Sequence, residues 1–355
     1  MPSPMTSRTF GFLPDGRPIE AWTLFGSGGM VLEAINYGGT VTRLLVPDRD
    51  GRLEDVVLGF STLDPYLISR AYMGAIVGRV AGRMTLARFN LDGKTYLLAQ
   101  NDCLNHIHGG VEGFDKKVWT GIPIKSFKGE PCLRLTYHSC DGEEGYPGNV
   151  DVTVMYTLTH SNALRVETEA VTDSPTPFSL TMHHYFNLAG EGRGSIADHE
   201  LQIDSDEFIL TDEQMTLLGR VSTVSGRGND FRQPRRLGDA IPFLFKNHGD
   251  LYLVKKAAHN GLDSKPAAAA RLVHPASGRV LEVFTSETHL QLYTGAGLDG
   301  SLIGISGKPY AQYAGVCLEC QGYPDGGQPG GLGDIILRPG IPRRQTTEYA
   351  FSTLQ

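Results

Sequence analysis

Hydrophobic and polar residues alternate along much of this chain, and a period of two residues is the pattern of a half-buried β-strand. In VDVTVMYTL, residues 150–158, valine, tyrosine and leucine occupy every second position. After a His-Ser-Asn turn the alternation resumes in ALRVETEAV, residues 163–171. Two alternating segments joined by a short turn predict a β-hairpin.

Two further segments repeat this design. RFNLDGKTYLL, residues 88–98, contains the Asp-Gly dipeptide that a type I′ turn favours, and RLVHPASGRVLEVF, residues 271–284, turns at Pro-Ala-Ser-Gly. The 44 glycines and 20 prolines also leave few segments that could hold a long helix. We therefore predict an all-β, antiparallel fold.

The domain organisation is predicted from length and repeats. A chain of 355 residues has room for about two domains. We find no internal repeat, and the low-complexity segment DSKPAAAAR, residues 263–271, is interpreted as a loop before a strand rather than as a linker. We expect a single domain over residues 1–355.

Charge and hydropathy narrow the class of ligand. The 32 basic and 39 acidic residues give a net charge of −7, which provides no broad cationic field for nucleic acid or an anionic membrane. The sequence has neither the apolar core of a secretory signal nor an apolar run of membrane-spanning length. We expect a cytoplasmic protein that binds a neutral small molecule.

The cysteines do not indicate a disulfide framework. There are five of them, an odd number in a large chain. Cys317 and Cys320 form a C-x-x-C pair, but they lie in an apolar segment that predicts a strand. Residues three apart on a strand point to opposite faces, so we expect neither a redox pair nor a zinc pair here.

Two adjacent histidines, His183 and His184, stand in TMHHYFNLAG, residues 181–190. In an extended segment His183, Tyr185 and Asn187 share one face, whereas His184 and Phe186 share the other. The two histidines should therefore have different roles. A partly buried ring without chemistry is the alternative for each.

A second histidine pair keeps a metal site open as an alternative. In NDCLNHIHGG, residues 101–110, His106 and His108 are two apart, which on a strand is one face and is a spacing that zinc sites use. A third ligand would be required, with His183 or Glu319 as candidates. The glycines that follow indicate a tight turn or a close approach to a ligand.

Two charged residues stand out in uncharged surroundings. Glu319 lies in GVCLECQGYPDGG, an apolar strand-like segment, where a carboxylate is costly to bury unless it is paired or functional. Arg83, in GRVAGRM, offers a fork of donors suited to sugar or carboxylate oxygens, although a surface charge is the default interpretation.

Taken in order, several motifs of the chain resemble the aldose 1-epimerase family. After NYGGTVTRLLVPDRDG near the start come YMGAIVGRVAGRM, NHIHGG with GFDKKVW, DGEEGYPGNV, HHYFNLAG, QLYTGAGLDG and LECQGYPD. Each motif is weak alone, but they occur in the family's order from about residue 36 to 340.

The resemblance implies a β-sandwich with an open sugar cleft, a monosaccharide substrate and no cofactor or metal. It implies that His183 is the general acid at the ring oxygen and that Glu319 is the general base at the anomeric hydroxyl. His108 would hydrogen-bond near the ring oxygen. Arg83 and Gln291 would contact the sugar.

Three positions depart from the family pattern. Met182 and Gly82 stand where the family has asparagine, which removes two local hydrogen bonds. The family's sugar-binding Asp lies in a G-x-D-H-x-F/Y pattern, whereas this chain has NHGDLYLV with its Asp one position out of step. Asp250 is nevertheless the candidate for that role.

The implied reaction interconverts the α and β anomers of free hexoses such as galactose and glucose. Opening the hemiacetal ring requires one base at O1 and one acid at O5, which a carboxylate and a histidine supply. The alternatives are a hexose-6-phosphate 1-epimerase, a non-catalytic sugar-binding protein, and a metal-dependent hydrolase using His106 and His108. We expect a monomer or a homodimer.

Overall fold

The computed structural model describes residues 4–255, 265–325 and 335–354. The first half of the chain forms β1 (Met5–Phe12), β2 (Pro18–Phe25), β3 (Val31–Ile35), β4 (Val41–Pro47), β5 (Leu53–Asp55), β6 (Ile76–Val77), β7 (Arg83–Met84), β8 (Arg88–Leu91), β9 (Lys94–Leu97), β10 (His106–Ile107), β11 (Thr120–Lys125), β12 (Pro131–Ser139), β13 (Val150–Leu158) and β14 (Ala163–Thr172).

The second half forms β15 (Thr176–Pro177), β16 (Thr181–Met182), β17 (Glu200–Ile203), β18 (Glu207–Thr211), β19 (Leu217–Thr223), β20 (Arg235–Arg236), β21 (Leu251–Leu253), β22 (Ala267–Val273), β23 (Arg279–Thr285), β24 (His289–Tyr293), β25 (Cys317–Gln321), β26 (Ile336–Leu337) and β27 (Arg343–Thr353). Within these described ranges the α-helices are the short α1 (Asp64–Ile68) and α2 (Leu237–Ala240). Neither helix has the length or the apolar character to span a bilayer.

Three sheets build the architecture. A nine-stranded sheet has the order β11-β12-β13-β14-β27-β23-β22-β17-β20. A five-stranded sheet runs β1 to β5 in sequence, and another has the order β19-β18-β21-β24-β25. Neighbouring strands within these sheets are antiparallel, which confirms the predicted all-β antiparallel class.

The core lies between the nine-stranded sheet and the two five-stranded sheets. One buried hydrophobic cluster joins residues from all three of them: Leu32 and Leu44 from the first sheet, Val152, Val154, Tyr156, Leu281 and Tyr349 from the nine-stranded sheet, and Leu290, Leu318 and Cys320 from the third. Side chains of facing sheets that interdigitate in this way define a β-sandwich. The predicted sandwich is therefore confirmed.

The three predicted hairpins are present. Strands β13 and β14 pair so that Leu158 lies opposite Leu164, and β22 pairs with β23. Between β8 and β9, Asp92 and Gly93 both have positive φ, 48° and 80°, as a type I′ turn requires. The interpretation of residues 263–271 needs correction, because β22 begins at Ala267 and the alanines are strand; residues 263 and 264 lie outside the described part.

Candidate active site

A cavity of about 510 Å³ opens beside the third sheet. Its walls come from β21, β24 and β25 and from the loops around residues 69–72, 82–83, 101–108 and 297–302. A volume of this size is typical of small-molecule sites. His108, His183, Glu319, Arg83 and Gln291 all line it, so the structure brings these predicted site residues together.

Strand β25 supplies the carboxylate of the site. Leu318 and Cys320 are part of the sandwich core, whereas Glu319 and Gln321 line the cavity and Cys317 contacts its histidine. This alternation follows from strand geometry. The prediction that Cys317 and Cys320 face opposite sides is confirmed.

The adjacent histidines separate as predicted. His183 and Tyr185 line the cavity, while the His184 ring packs edge-on against Phe186 and Tyr349, with centroids 5.7 and 5.4 Å away. The backbone N–H of His183 donates to Ala75 O at 3.0 Å, which anchors the segment beside the β6 loop. His183 therefore faces the cavity and His184 faces the core.

His183 and Glu319 form a buried acid–base pair at the cavity. His183 Nε2 lies 3.8 Å from Glu319 Oε1, and both side chains are almost fully buried. Burial lowers the pKa of His183 to about 4 and raises the pKa of Glu319 to about 8, although the Arg83 charge works against the rise. Both pKa shifts have the same cause, because burial disfavours the charged form of each group.

The other ring nitrogen of His183 faces a thiol. Cys317 Sγ lies 3.6 Å from His183 Nδ1, within the range of a sulfur hydrogen bond. Four rings surround the imidazole: Tyr185, His108, Tyr72 and Tyr293, with centroids 5.0, 5.3, 5.8 and 6.2 Å away. The ring is thereby held with Nε2 directed at Glu319.

His108 owes its position to its backbone and to a glycine. Its φ of 54° is in the left-handed region, and the Gly82 N–H donates to its Nδ1 at 3.2 Å. Because Nδ1 accepts this bond, the neutral ring carries its proton on Nε2. Asn101 fixes the loop, since its Oδ1 accepts from Ile107 N at 2.8 Å and its Nδ2 donates to Gly110 O at 2.8 Å.

The expectation that His106 and His108 share a strand face is wrong. Strand β10 ends at Ile107, and the left-handed backbone of His108 breaks the alternation. His106 Nδ1–H instead donates to Ala99 O at 2.8 Å, and its ring packs against Tyr146. No group of three possible metal ligands among the described residues includes His106.

A different trio meets the distance requirement for a metal. Ligand atoms of His108, His183 and Glu319 lie within 4.8 Å of one another. The tautomer of His108 opposes this use: a metal on Nε2 would put the ring proton on Nδ1, where it would face the Gly82 N–H. The trio is better suited to donating and accepting protons than to binding a cation.

The remaining predicted residues differ in whether their side chains are already paired with other protein groups. Arg83 Nε donates to Asp102 Oδ2 at 2.6 Å, so its charge is paired within the cavity wall. Gln291 lies opposite Glu319 on β24. Asp250 lines the wall, but its carboxylate accepts from Asn229 Nδ2 at 2.9 Å, and Asn229 is not a cavity residue.

The two family departures have different consequences. Met182 points into the core, where its sulfur accepts from the Tyr156 hydroxyl at 3.3 Å. Gly82 lies in the cavity wall with φ of 79°, and a Cβ there would come within 2.7 Å of Gln321 Nε2. Only the second departure changes the cavity itself.

Several lining residues escaped the sequence reasoning. Gln321 lines the cavity and Cys317 contacts His183. Both could have been found, because each is two positions from Glu319 on one strand and shares its face. Asn101, Tyr72 and Tyr293 reach the cavity through loop geometry and sheet pairing, which no local pattern encodes.

Comparisons with known proteins agree with this geometry. The profile of the family described as Aldose 1-epimerase matches residues 20–350. Galactose mutarotase from Bos taurus is 42% identical over 348 residues, covering 98% of each chain, and aldose 1-epimerase from Escherichia coli is 34% identical over 359 residues, covering 98% of this chain and 99% of the relative. A crystal structure titled galactose 1-epimerase from Lactobacillus acidophilus has a TM-score of 0.82 at 28% identity, covering 99% of each chain.

We expect catalysis to be independent of metal. Prolonged dialysis against EDTA should leave the catalysed rate unchanged. His108 carries its ring proton on Nε2, so this nitrogen donates a hydrogen bond and does not bind a metal. The metal content of the purified protein is measured by elemental analysis before and after dialysis. Loss of activity that added zinc restores would contradict this.

Proposed function

This chain belongs to the aldose 1-epimerase family, and on that premise we propose that it interconverts the α and β anomers of free hexoses, galactose and glucose among them, by proton transfer at Glu319 and His183. The observation that carries the proposal is the pair itself. A buried carboxylate and a buried imidazole face each other at 3.8 Å in a cavity of about 510 Å³.

The roles follow from what ring opening requires. Glu319 takes the proton from O1 while His183 Nε2 gives a proton to O5, and the C1–O5 bond breaks. The open-chain aldehyde rotates about C1–C2. His183 then recovers the O5 proton as O5 attacks the other face of C1, and Glu319 returns its proton to O1.

Glu319 and His183 together hold one transferable proton throughout this cycle. Ring opening starts from a carboxylate and an imidazolium, and the open-chain sugar faces a carboxylic acid and a neutral imidazole. Burial raises the pKa of Glu319 and lowers the pKa of His183, so it favours the neutral form that accompanies the open chain. The two forms differ only by where one proton lies.

Neighbouring groups support the transfer. In our account Cys317 Sγ accepts Nδ1–H of His183, which leaves Nε2 free to give and take the proton. His108 presents its Nε2–H towards the ring oxygen. Arg83 and Gln291 bind sugar hydroxyls, and Asp250 remains a candidate whose carboxylate must be shared with Asn229.

Two alternatives fit the cavity less well. A phosphorylated hexose would bring a dianion to a wall whose described lining has two cationic side chains, Arg70 and Arg83, and the second is paired with Asp102. The same lining includes four carboxylates. A non-catalytic sugar-binding protein would not need an acid and a base facing each other in the cleft.

Further properties belong to the same proposal. We propose one domain over residues 1–355, since one hydrophobic cluster joins the three sheets. We also propose a cytoplasmic monomer or homodimer that acts on a monosaccharide and binds neither nucleic acid nor membranes, in keeping with its net charge of −7.

The two adjacent histidines test the proposal as a matched pair. His183→Asn should lower kcat for mutarotation of freshly dissolved α-galactose by about 10² or more, because it removes the acid. His184→Asn should retain most activity per folded molecule, because that ring lies in the core. Polarimetry measures the rate, with the spontaneous rate subtracted.

Melting temperatures of both variants control for folding. Equal loss of activity in two folded variants would contradict the assignment of His183. Absence of mutarotation in the unmodified protein would contradict the proposed function as a whole.

The pH dependence should reflect the one-proton requirement. Above about 8 the pair loses its proton and with it the acid, and below about 4 it gains a second proton and loses the base. We expect kcat/KM to be flat between these values and to fall on both sides. An acidic limb near 6.5, the ordinary pKa of histidine, would contradict this account.

A further inference from the structure

Gln321 is a buried amide at the cavity whose oxygen has no hydrogen-bond partner among the described residues. The side chain is 1% exposed and lines the cavity. Its Nε2 approaches Ala81 O at 3.5 Å, while its Oε1 has no partner among the described residues. Facing Ala81 O with Nε2 fixes the amide orientation, because Oε1 in that place would oppose another acceptor.

The glycine at position 82 makes room for this amide. A Cβ on residue 82 would lie 2.7 Å from Gln321 Nε2 and 3.0 Å from Pro324 Cγ. Contacts this short would force the amide to move. The position of the Gln321 amide therefore depends on the glycine at position 82.

An unused buried acceptor at a cavity indicates a ligand donor. A buried polar atom without a partner is unfavourable, and a hydroxyl of the bound sugar would satisfy it. The acid–base cycle does not require Gln321, so its acceptor is available for binding.

The order of side chains along β25 indicates which hydroxyl it is. Cys317, Glu319 and Gln321 project from one face in sequence, with Cys317 against His183. If His183 acts at O5 and Glu319 at O1, the next position along the strand lies beside C2. The sugar ring presents O5, C1 with O1, and C2 with O2 in the same order.

We propose that Gln321 Oε1 accepts a hydrogen bond from the 2-hydroxyl of the sugar and makes the site selective for aldoses that carry it. This inference rests on the proposed function, because it uses the positions of O5 and O1. Gln321 is a specificity residue in this account and takes no part in proton transfer.

The test compares Gln321→Met with the unmodified protein on three free sugars: galactose, 2-deoxygalactose and 6-deoxygalactose. Methionine keeps the length of the side chain and removes the acceptor. Gln345→Met is the matched control, since Gln345 is also buried, its Oε1 also has no partner within the described part of the chain, and it lies outside the cavity lining. Anomer exchange measured by NMR gives kcat/KM for each combination of protein and sugar.

The unmodified protein should lose about tenfold in kcat/KM when the 2-hydroxyl is absent, because Oε1 then stays unpaired. Gln321→Met should lose a similar factor on galactose and nothing further on 2-deoxygalactose. The ratio of 6-deoxygalactose to galactose should be the same in all three proteins. Gln345→Met should keep the selectivity of the unmodified protein.

Additive losses, in which Gln321→Met still discriminates against 2-deoxygalactose, would overturn the proposal. So would equal losses on all three sugars accompanied by a lower melting temperature, which would make Gln321 structural. Failure of the proposed function is distinguishable, because the unmodified protein would then act on none of the three sugars.

Discussion

The burial of Glu319 beside His183 is the constraint on which the site depends. A carboxylate loses hydration energy when it is buried, and the surrounding protein compensates only if a partner is close. Here the partner is an imidazole 3.8 Å away, and the two together need no net charge. The continuous core behind β25 holds Glu319 in this position, because Leu318 and Cys320 anchor the opposite face of the strand.

The pair makes the chemistry simple. Mutarotation returns the enzyme to its starting state and consumes no cofactor, so a site that moves one proton between two groups is sufficient. Two of the cavity histidines each have Nδ1 in contact with a partner: the Cys317 thiol for His183 and the Gly82 N–H for His108. These contacts leave Nε2 of each ring free to face the cavity.

Local patterns explain how much of this could be predicted from the sequence. The hairpins and the opposite orientation of His183 and His184 depend on period-two alternation, which neighbouring residues encode. The prediction that His106 and His108 share a strand face was wrong, because the left-handed backbone of His108 breaks the alternation. Nothing in the local sequence indicated that backbone conformation. Asp250 was a candidate only through the family resemblance, and its contact with Asn229 joins positions 21 residues apart that only folding brings together.

The most direct test of the account is the rate of galactose anomer exchange catalysed by Glu319→Gln, measured by NMR. The substitution keeps size and polarity and removes the base, so kcat should fall by about 10² or more while the melting temperature stays unchanged. Competitive inhibition by methyl α-galactoside, which has no O1 proton to remove, should persist and show that the cavity is intact. Near-normal exchange in this folded variant would contradict the role of Glu319 and the one-proton mechanism with it.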